Sequence, residues 1–141
     1  MAIVYFDSSA FVKLLIDEEG SDLTAMLWDG CDAAVSSRLA YPEVRAALAA
    51  ATRAHRLEPA DRDRAAAALE HYWAATLAVE LTEAVSVHAG QLAGEHALRG
   101  ADAVHLASLY AVGAEDTLFA VWDRRLRDGA RGLDVRLVPP A

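Results

Sequence analysis

The chain alternates short, unbroken apolar runs with longer segments of helical periodicity. Apolar residues fill 2–6 (AIVYF) and 117–122 (TLFAVW), and an aspartate follows each run directly. An apolar run without alternation is typical of a strand buried on both faces of a parallel sheet. Three weaker segments are also predicted as strands: 32–37, 79–81 and 134–138, the last as an edge strand.

Segments with apolar residues at three- and four-residue spacing separate these strands. A helix is predicted after Asp7, with Ser8 and Ser9 as its capping residues. Further helices are predicted at 21–29, from Pro42 to about His55, from Pro59 to about Leu77, from Thr82 to Gly100, from Asp102 to Val112, and behind Asp123. This alternation predicts a single domain over 1–141, a three-layer α/β/α fold with a central parallel sheet of four to five strands.

Two aspartates, Asp7 and Asp123, stand at the carboxyl ends of the two strongest predicted strands. Ligands of parallel α/β sheets bind outside that edge, so both side chains are candidates for chemistry. The alternative interpretation is a helix N-cap, a common role for aspartate after a strand. Because Ser8 and Ser9 could supply the cap, Asp7 is the stronger candidate.

Two further acids, Glu43 and Asp102, are predicted to lie on apolar helix faces. Glu43 shares its face with apolar residues at helical spacing: Leu39, Ala40, Ala47 and Ala50. Asp102 has Leu106 and Leu109 below it. A buried, unpaired carboxylate is costly, which favours a function over chance. The alternative for Glu43 is a partly exposed residue in the first turn of its helix, and the alternative for Asp102 is a helix cap. His105 lies about one turn after Asp102, and a structural histidine is favoured there over a site residue.

Four carboxylates at one sheet edge predict a site for divalent metal, with Asp7, Glu43, Asp102 and Asp123 as catalytic residues and metal ligands. Carboxylate oxygens without cysteine or paired histidine favour Mg²⁺, or Mn²⁺, over zinc. The chain has no phosphate-binding loop, dinucleotide fingerprint or hydrolase elbow. Metal-assisted chemistry on a phosphate is therefore predicted. Receiver domains and aspartate phosphatases also place acids here. The phosphatases have Asp-x-Asp after the first strand, where this chain has Asp7-Ser8-Ser9, and a receiver domain has a lysine after a late strand, whereas the only lysine of this chain is Lys13.

The charge and hydropathy of the chain limit its expected binding partners and its expected location in the cell. The net charge of −8 argues against a general nucleic-acid binder, although bound cations would offset the site carboxylates. All basic residues except Lys13 are arginines, which bind phosphate well. No apolar run reaches the length of a membrane span, and no export signal marks the amino terminus, so a cytoplasmic location is expected. The single cysteine, Cys31, is predicted to be a packed residue.

Four segments together resemble the PIN-domain ribonucleases, specifically the VapC-type toxins of toxin–antitoxin pairs: YFDSSAFVKL, YPEVRAAL, LRGADAVHLAS and VWDRRLRDGA. The LRGADAVHLAS segment is the most specific of them. The family's acids fall on Asp7, Glu43, Asp102 and Asp123, and its polar residue after the first Asp on Ser8 or Ser9. Trp122 is bulkier than the residue that the family usually has there.

The resemblance implies a metal-dependent endoribonuclease that hydrolyses RNA phosphodiester bonds, with a cognate antitoxin protein as partner and a homodimer as its state. Lys13, Arg124 and Arg125 are candidates for contacts with flanking phosphates. Aromatic residues at 28, 72 and 73 are candidates for a dimer or partner surface. The alternatives are a catalytically silent PIN-like interaction domain and a different Mg²⁺-dependent phosphohydrolase.

Overall fold

The computed structural model describes residues 2–140, and its centre is a five-stranded sheet. The strands are β1 (Ile3–Phe6), β2 (Ala33–Ser37), β3 (Thr76–Val79), β4 (Thr117–Ala120) and β5 (Arg136–Val138). Their order is β3-β2-β1-β4-β5, and every neighbouring pair is parallel. The predicted parallel sheet is confirmed.

Helices cover both faces of the sheet. They are α1 (Ser8–Leu15), α2 (Ser21–Gly30), α3 (Ala40–Arg53), α4 (Pro59–Ala74), α5 (Glu83–His96), α6 (Gly100–Val112) and α7 (Arg124–Ala130). Val4 and Phe6 of β1 point into the core formed with α1, α3 and α4, whereas Tyr5 points into the core formed with α5, α6 and α7. Since both faces are covered, β1 is apolar at every position, as the unbroken run predicted.

The chain reverses its direction of travel across the sheet at the central strand. From β1 it builds outward to β2 and β3, then returns to β4 on the other side of β1 and ends at β5. The connections leaving β1 and β4 therefore diverge, which opens a crevice at the carboxyl ends of these two strands. Asp7 and Asp123 follow those two strands.

The third strand lies earlier in the sequence than predicted. Helix α4 ends at Ala74, short of Leu77, and β3 begins at Thr76 rather than at 79. At the helix end, the Tyr72 carbonyl accepts both from the Ala75 amide at 3.2 Å and from the Thr76 hydroxyl at 2.7 Å. The backbone then becomes extended and pairs with β2, Thr76 opposite Ala34.

The helix predicted from Thr82 to Gly100 is shorter than predicted and ends at His96. Thr82 caps α5 as predicted, with its hydroxyl accepting from the Val85 amide at 3.2 Å. The helix ends at His96 because Ala97 adopts a left-handed conformation, with φ 53°, a position where glycine is usual. Gly100 instead opens α6.

Helix α3 begins at Ala40, two residues before the predicted start at Pro42. Proline is tolerated there because it still lies in the first turn, whose amides have no partner within the helix.

The aromatic residues predicted to form a partner surface pack against one another behind β1. The Trp28 and Tyr72 ring centroids are 4.9 Å apart, and Trp73 lies 5.7 Å from Phe11. All three are half-buried and join the core beneath Phe6 and Phe11. Their packing in the core explains these aromatic residues, and the homodimer stays a prediction.

No helix within residues 2–140 is both long and apolar enough to cross a membrane.

Candidate active site

Asp7 lies buried at the carboxyl end of β1 and is also the N-cap of α1. Its Oδ1 accepts from the Ala10 amide at 3.0 Å and from the Ser9 hydroxyl at 2.6 Å. The prediction that Ser8 and Ser9 cap this helix is wrong, since both lie inside it. Asp7 can serve both as a helix cap and as a site residue, because both of these hydrogen bonds are made to the same oxygen, Oδ1.

The pKa of the Asp7 carboxyl is raised to about 6. Burial is the main cause, because an anion loses its hydration there. The nearby charge of Asp123 raises it further, whereas His105 and the hydrogen bonds from Ser9 and Ala10 oppose the shift. Asp7 is thus a carboxylate whose ionisation in the folded protein is costly.

Asp123 is held beside Asp7 through a single hydroxyl group. Ser9 Oγ accepts from the Trp122 amide at 2.9 Å and from the Asp123 amide at 3.3 Å while it donates to Asp7. The Asp123 side chain caps α7 by accepting from the Leu126 amide at 2.9 Å. Both aspartates are therefore caps and neighbours in the crevice.

Glu43 reaches the same crevice from α3. Its Oε1 accepts from the Ser8 hydroxyl at 2.5 Å and lies 2.6 Å from Nε2 of His105. Burial alone would raise the pKa of this carboxyl, but the hydrogen bond and charge of His105 and the bond from Ser8 outweigh it, so its pKa is lowered. Glu43 is therefore ionised at neutral pH.

The face of α3 that carries Glu43 differs in part from the prediction. The buried stripe of the helix consists of Ala40, Val44 and Leu48, and Ala47 is exposed. Glu43 lies at the border of that stripe, with its side chain 30% exposed. The predicted face is thus wrong by one position, yet the carboxylate still points into the site.

Asp102 is buried above Leu106 and Leu109, as predicted. It is not a cap, because the N-cap position of α6 belongs to Arg99. Arg99 Nε donates to Asp102 Oδ2 at 2.9 Å, and its Nη2 lies 3.8 Å from Asp123 Oδ2. Sequence reasoning missed Arg99; its position three residues before Asp102, one helical turn away, was the available signal.

His105 belongs to the site, although a structural histidine was the favoured interpretation. The ring is buried, with 2% of the residue exposed. Its Nδ1 lies 2.8 Å from the Tyr5 hydroxyl, and its Nε2 lies 2.6 Å from Glu43 and 3.3 Å from the Ser8 hydroxyl. The imidazole is satisfied, as a structural residue would be, but one of its partners is a candidate ligand.

Basic residues flank the acids on two sides. Lys13 pairs with Glu18 at 3.0 Å and lies 5.6 Å from the ring centroid of Trp122. On the other side, Arg99 and Arg125 line a cleft of about 410 Å³. Arg124 is exposed at the start of α7. Lys13 shares a surface pocket with Ser8, Ser9 and Asp123, and Arg125 shares one with Arg99, so their contacts with phosphates stay a prediction.

The donor chemistry of the site fits a hard divalent cation, since the converging groups are carboxylates with hydroxyl neighbours. Within residues 2–140, however, no three His, Cys, Asp or Glu side chains are arranged to hold a metal ion. Each carboxylate is bonded to a protein donor instead: Asp102 to Arg99, Glu43 to Ser8, and Asp7 to Ser9. The metal site stays a prediction.

Comparison with known proteins gives the family. The PIN domain model matches residues 4–131. The chain is 62% identical over 139 residues to Ribonuclease VapC45 and to Ribonuclease VapC49, both of Mycobacterium tuberculosis, covering 99% of this chain and 96% of each relative. This chain belongs to the VapC-type PIN-domain ribonucleases. A toxin–antitoxin complex from Klebsiella pneumoniae contains a chain with the same fold, with TM-score 0.69, 14% identity and coverage of 99% of this chain and 98% of that one.

Proposed function

We propose that this PIN-domain ribonuclease hydrolyses RNA phosphodiester bonds with Mg²⁺ or Mn²⁺ held by Asp7, Glu43, Asp102 and Asp123. The observation that carries the proposal is the placement of four acids along the sheet edge where the strand order reverses. Ser9 bonds both to Asp7 and to the Asp123 amide, Arg99 lies within 4 Å of Asp102 and Asp123, and Glu43 is held there by Ser8. Helix capping accounts for Asp7 and Asp123 but not for Glu43 and Asp102, and the raised pKa of Asp7, caused mainly by burial, marks a carboxylate whose ionisation is costly to the fold.

The site residues would have different roles in RNA hydrolysis. The carboxylates bind the cation, which when bound supplies an activated water and offsets the negative charge that develops on the phosphate. Ser8 and Ser9 hold Glu43 and Asp7 in place through hydrogen bonds of 2.5 and 2.6 Å. Lys13 and Arg125 bind flanking phosphates, which orients the strand across the acids. Arg99, which pairs with Asp102 and lies 3.8 Å from Asp123, would compete with a cation for the charge of these two carboxylates.

Cleavage of RNA should require divalent metal. Purified protein should cut a cellular RNA pool in Mg²⁺ or Mn²⁺, lose that activity after exhaustive chelation, and regain it when metal is restored. Full cleavage by the chelated protein would overturn the metal assignment. Absence of both cleavage and metal binding by calorimetry would instead favour the silent interaction domain.

We further propose that the ribonuclease acts as a toxin restrained by a cognate antitoxin. The support is family membership, together with the hazard of an unrestrained ribonuclease in a cell. An antitoxin arginine is a suitable ligand for the crevice, because a guanidinium can act as counter-charge to paired carboxylates. Expression of the protein alone should arrest growth, and co-expression of the small protein encoded beside it should relieve the arrest. Unimpaired growth in a host whose RNA the purified protein cuts would contradict the toxin role.

A further inference from the structure

A chain of hydrogen bonds runs from the middle of the sheet to the candidate metal ligand Glu43. Tyr5 lies on the central strand, and its side chain is fully buried against Phe119 and His105. Its hydroxyl is 2.8 Å from Nδ1 of His105, and Nε2 of the same ring is 2.6 Å from Oε1 of Glu43. These three residues come from β1, α6 and α3, the elements that also carry Asp7, Asp102 and Glu43 itself.

The direction of these hydrogen bonds follows from the groups involved. An ionised carboxylate can only accept, so Nε2 of His105 must bear the proton in its bond to Glu43. Ser8 donates its own hydroxyl proton to the same Oε1 atom. Glu43 Oε1 is thus fixed by two donors, and its Oε2 remains as the oxygen without a bond to either of them.

The contact between Tyr5 and His105 fixes the ring itself. The imidazole stands edge-on to the Tyr5 ring, with centroids 5.9 Å apart and an interplanar angle of 89°. A ring that is buried at 2% exposure and bonded at both nitrogens cannot rotate without losing two hydrogen bonds. The Glu43 side chain is therefore anchored to the buried centre of the sheet, and its orientation does not depend only on the half-exposed surface of α3.

We propose that His105 is a positioning residue that holds Glu43 in the orientation needed for metal binding, with Tyr5 fixing the imidazole from behind. This inference rests on the proposed metal-dependent function. Groups that orient metal ligands through hydrogen bonds are worth about 10- to 100-fold in metal affinity. His105 acts through Glu43 and touches neither the substrate nor the cation.

Two substitutions at His105 separate positioning from packing. The amide nitrogen of glutamine can replace Nε2, so His105→Gln keeps a donor toward Glu43. Asparagine is shorter and can replace only Nδ1, so His105→Asn keeps the contact with Tyr5 and loses the one with Glu43. Both variants lose the same aromatic ring from the core. His88→Asn, at a half-buried histidine that packs against Tyr110, is the control for histidine loss elsewhere.

The measurement is Mn²⁺ affinity by calorimetry, read beside the melting temperature of each metal-free variant. His105→Asn should weaken Mn²⁺ binding by roughly 10- to 100-fold, whereas His105→Gln should stay within about threefold of the parent. The turnover number of His105→Asn should fall with no change in the KM for RNA. Equal Mn²⁺ affinities in the two folded variants would assign His105 to packing and overturn the proposal.

A measurement on the unchanged protein keeps the test decisive if both variants fail to fold. Nitrogen-15 NMR of the metal-free parent should show His105 with a protonated Nε2 in a strong hydrogen bond, and an unprotonated Nε2 would overturn the proposal. A parent that neither binds Mn²⁺ nor cleaves RNA would overturn the proposed function and this inference together. A parent that binds Mn²⁺, with no difference between the Asn and Gln variants, would overturn the inference alone.

Discussion

The two sides of the candidate site hold their acids by different means. On the serine side, the hydroxyls of Ser8 and Ser9 and the ring of His105 hold Glu43 and Asp7. On the arginine side, the guanidinium of Arg99, half of it exposed, pairs with Asp102 and lies near Asp123. Hydroxyl donors fix a carboxylate in place without cancelling its charge, whereas a guanidinium neutralises it. The proposed cation would therefore meet carboxylates held mainly by hydroxyl groups on the serine side, and a competing positive charge on the arginine side.

The largest expected effect comes from removing a charge on the serine side. In Asp7→Asn, the amide oxygen can still accept from Ala10 and Ser9, so α1 keeps its cap. Cleavage should nevertheless fall by roughly 100-fold or more, because a neutral amide is a poor ligand for Mg²⁺. Initial rates on RNA measure this, with Asp22→Asn, an exposed acid in the first turn of α2, as the control. A cleavage rate within a few-fold of that of the parent would show that Asp7 serves only as a helix cap.

The stability of the Asp7→Asn variant, compared with that of the parent at different pH values, should show how much free energy the buried charge of Asp7 costs. Because the folded pKa of Asp7, about 6, lies above its ordinary value of 3.8, the folded state binds this proton more tightly than the unfolded state. The contribution of Asp7 to stability is therefore fully present below about pH 4, and it is lost as pH rises through 6.

The metal-free Asp7→Asn variant should consequently be more stable than the parent at pH 7, by about 1 to 3 kcal/mol. The difference should shrink toward pH 4. Urea unfolding of both proteins across this range measures it. A difference that is independent of pH would show that the charge of Asp7 is not the cause.

On the arginine side, removal of the guanidinium should favour the metal. Arg99→Gln frees Asp102 from its counter-charge, so Mn²⁺ should bind roughly tenfold more tightly while the metal-free melting temperature falls. Arg62→Gln removes an exposed guanidinium paired with Asp63 on α4 and is the matched control. Weaker Mn²⁺ binding by Arg99→Gln would mean that Arg99 supports the metal rather than competes with it.

The smallest expected effects are those of the flanking cations. Lys13→Gln and Arg125→Gln should each raise the KM for RNA about two- to threefold and lower the slope of log affinity against log salt by about 1. Arg62→Gln again serves as the control. An effect from Lys13 alone would show that RNA leaves the acids only across the serine side, and one from Arg125 alone would place it across the arginine side.

The sequence predicted the parts of the site that lie in strong local patterns. Asp7 and Asp123 end unbroken apolar runs, so their place beyond two strands could be predicted. Asp102 stands above two leucines at helical spacing, so its burial could be predicted as well. The face of Glu43 was one position in error because α3 is alanine-rich, and alanine is compatible with either a buried or an exposed position.

Other features depend on contacts between distant segments. The bond between Ser9 and the Trp122 amide joins residues 113 positions apart, and the bond between Tyr5 and His105 joins residues 100 positions apart. No periodicity encodes such a pairing. The early start of β3 was missed for a related reason, since Thr76 is placed by its register with β2 rather than by its own neighbours.

The hydroxyl of Ser9 also bears on how such a site can be preserved while the rest of a chain changes. One oxygen atom bonds the turn after β1 to the turn after β4, and so sets the separation of Asp7 and Asp123. Loops and helices between these turns can change in length without altering that separation, provided that the two strands stay adjacent. This serine therefore accounts for the placement of two of the four acids, whereas Glu43 and Asp102 depend on how α3 and α6 pack against the same edge of the sheet.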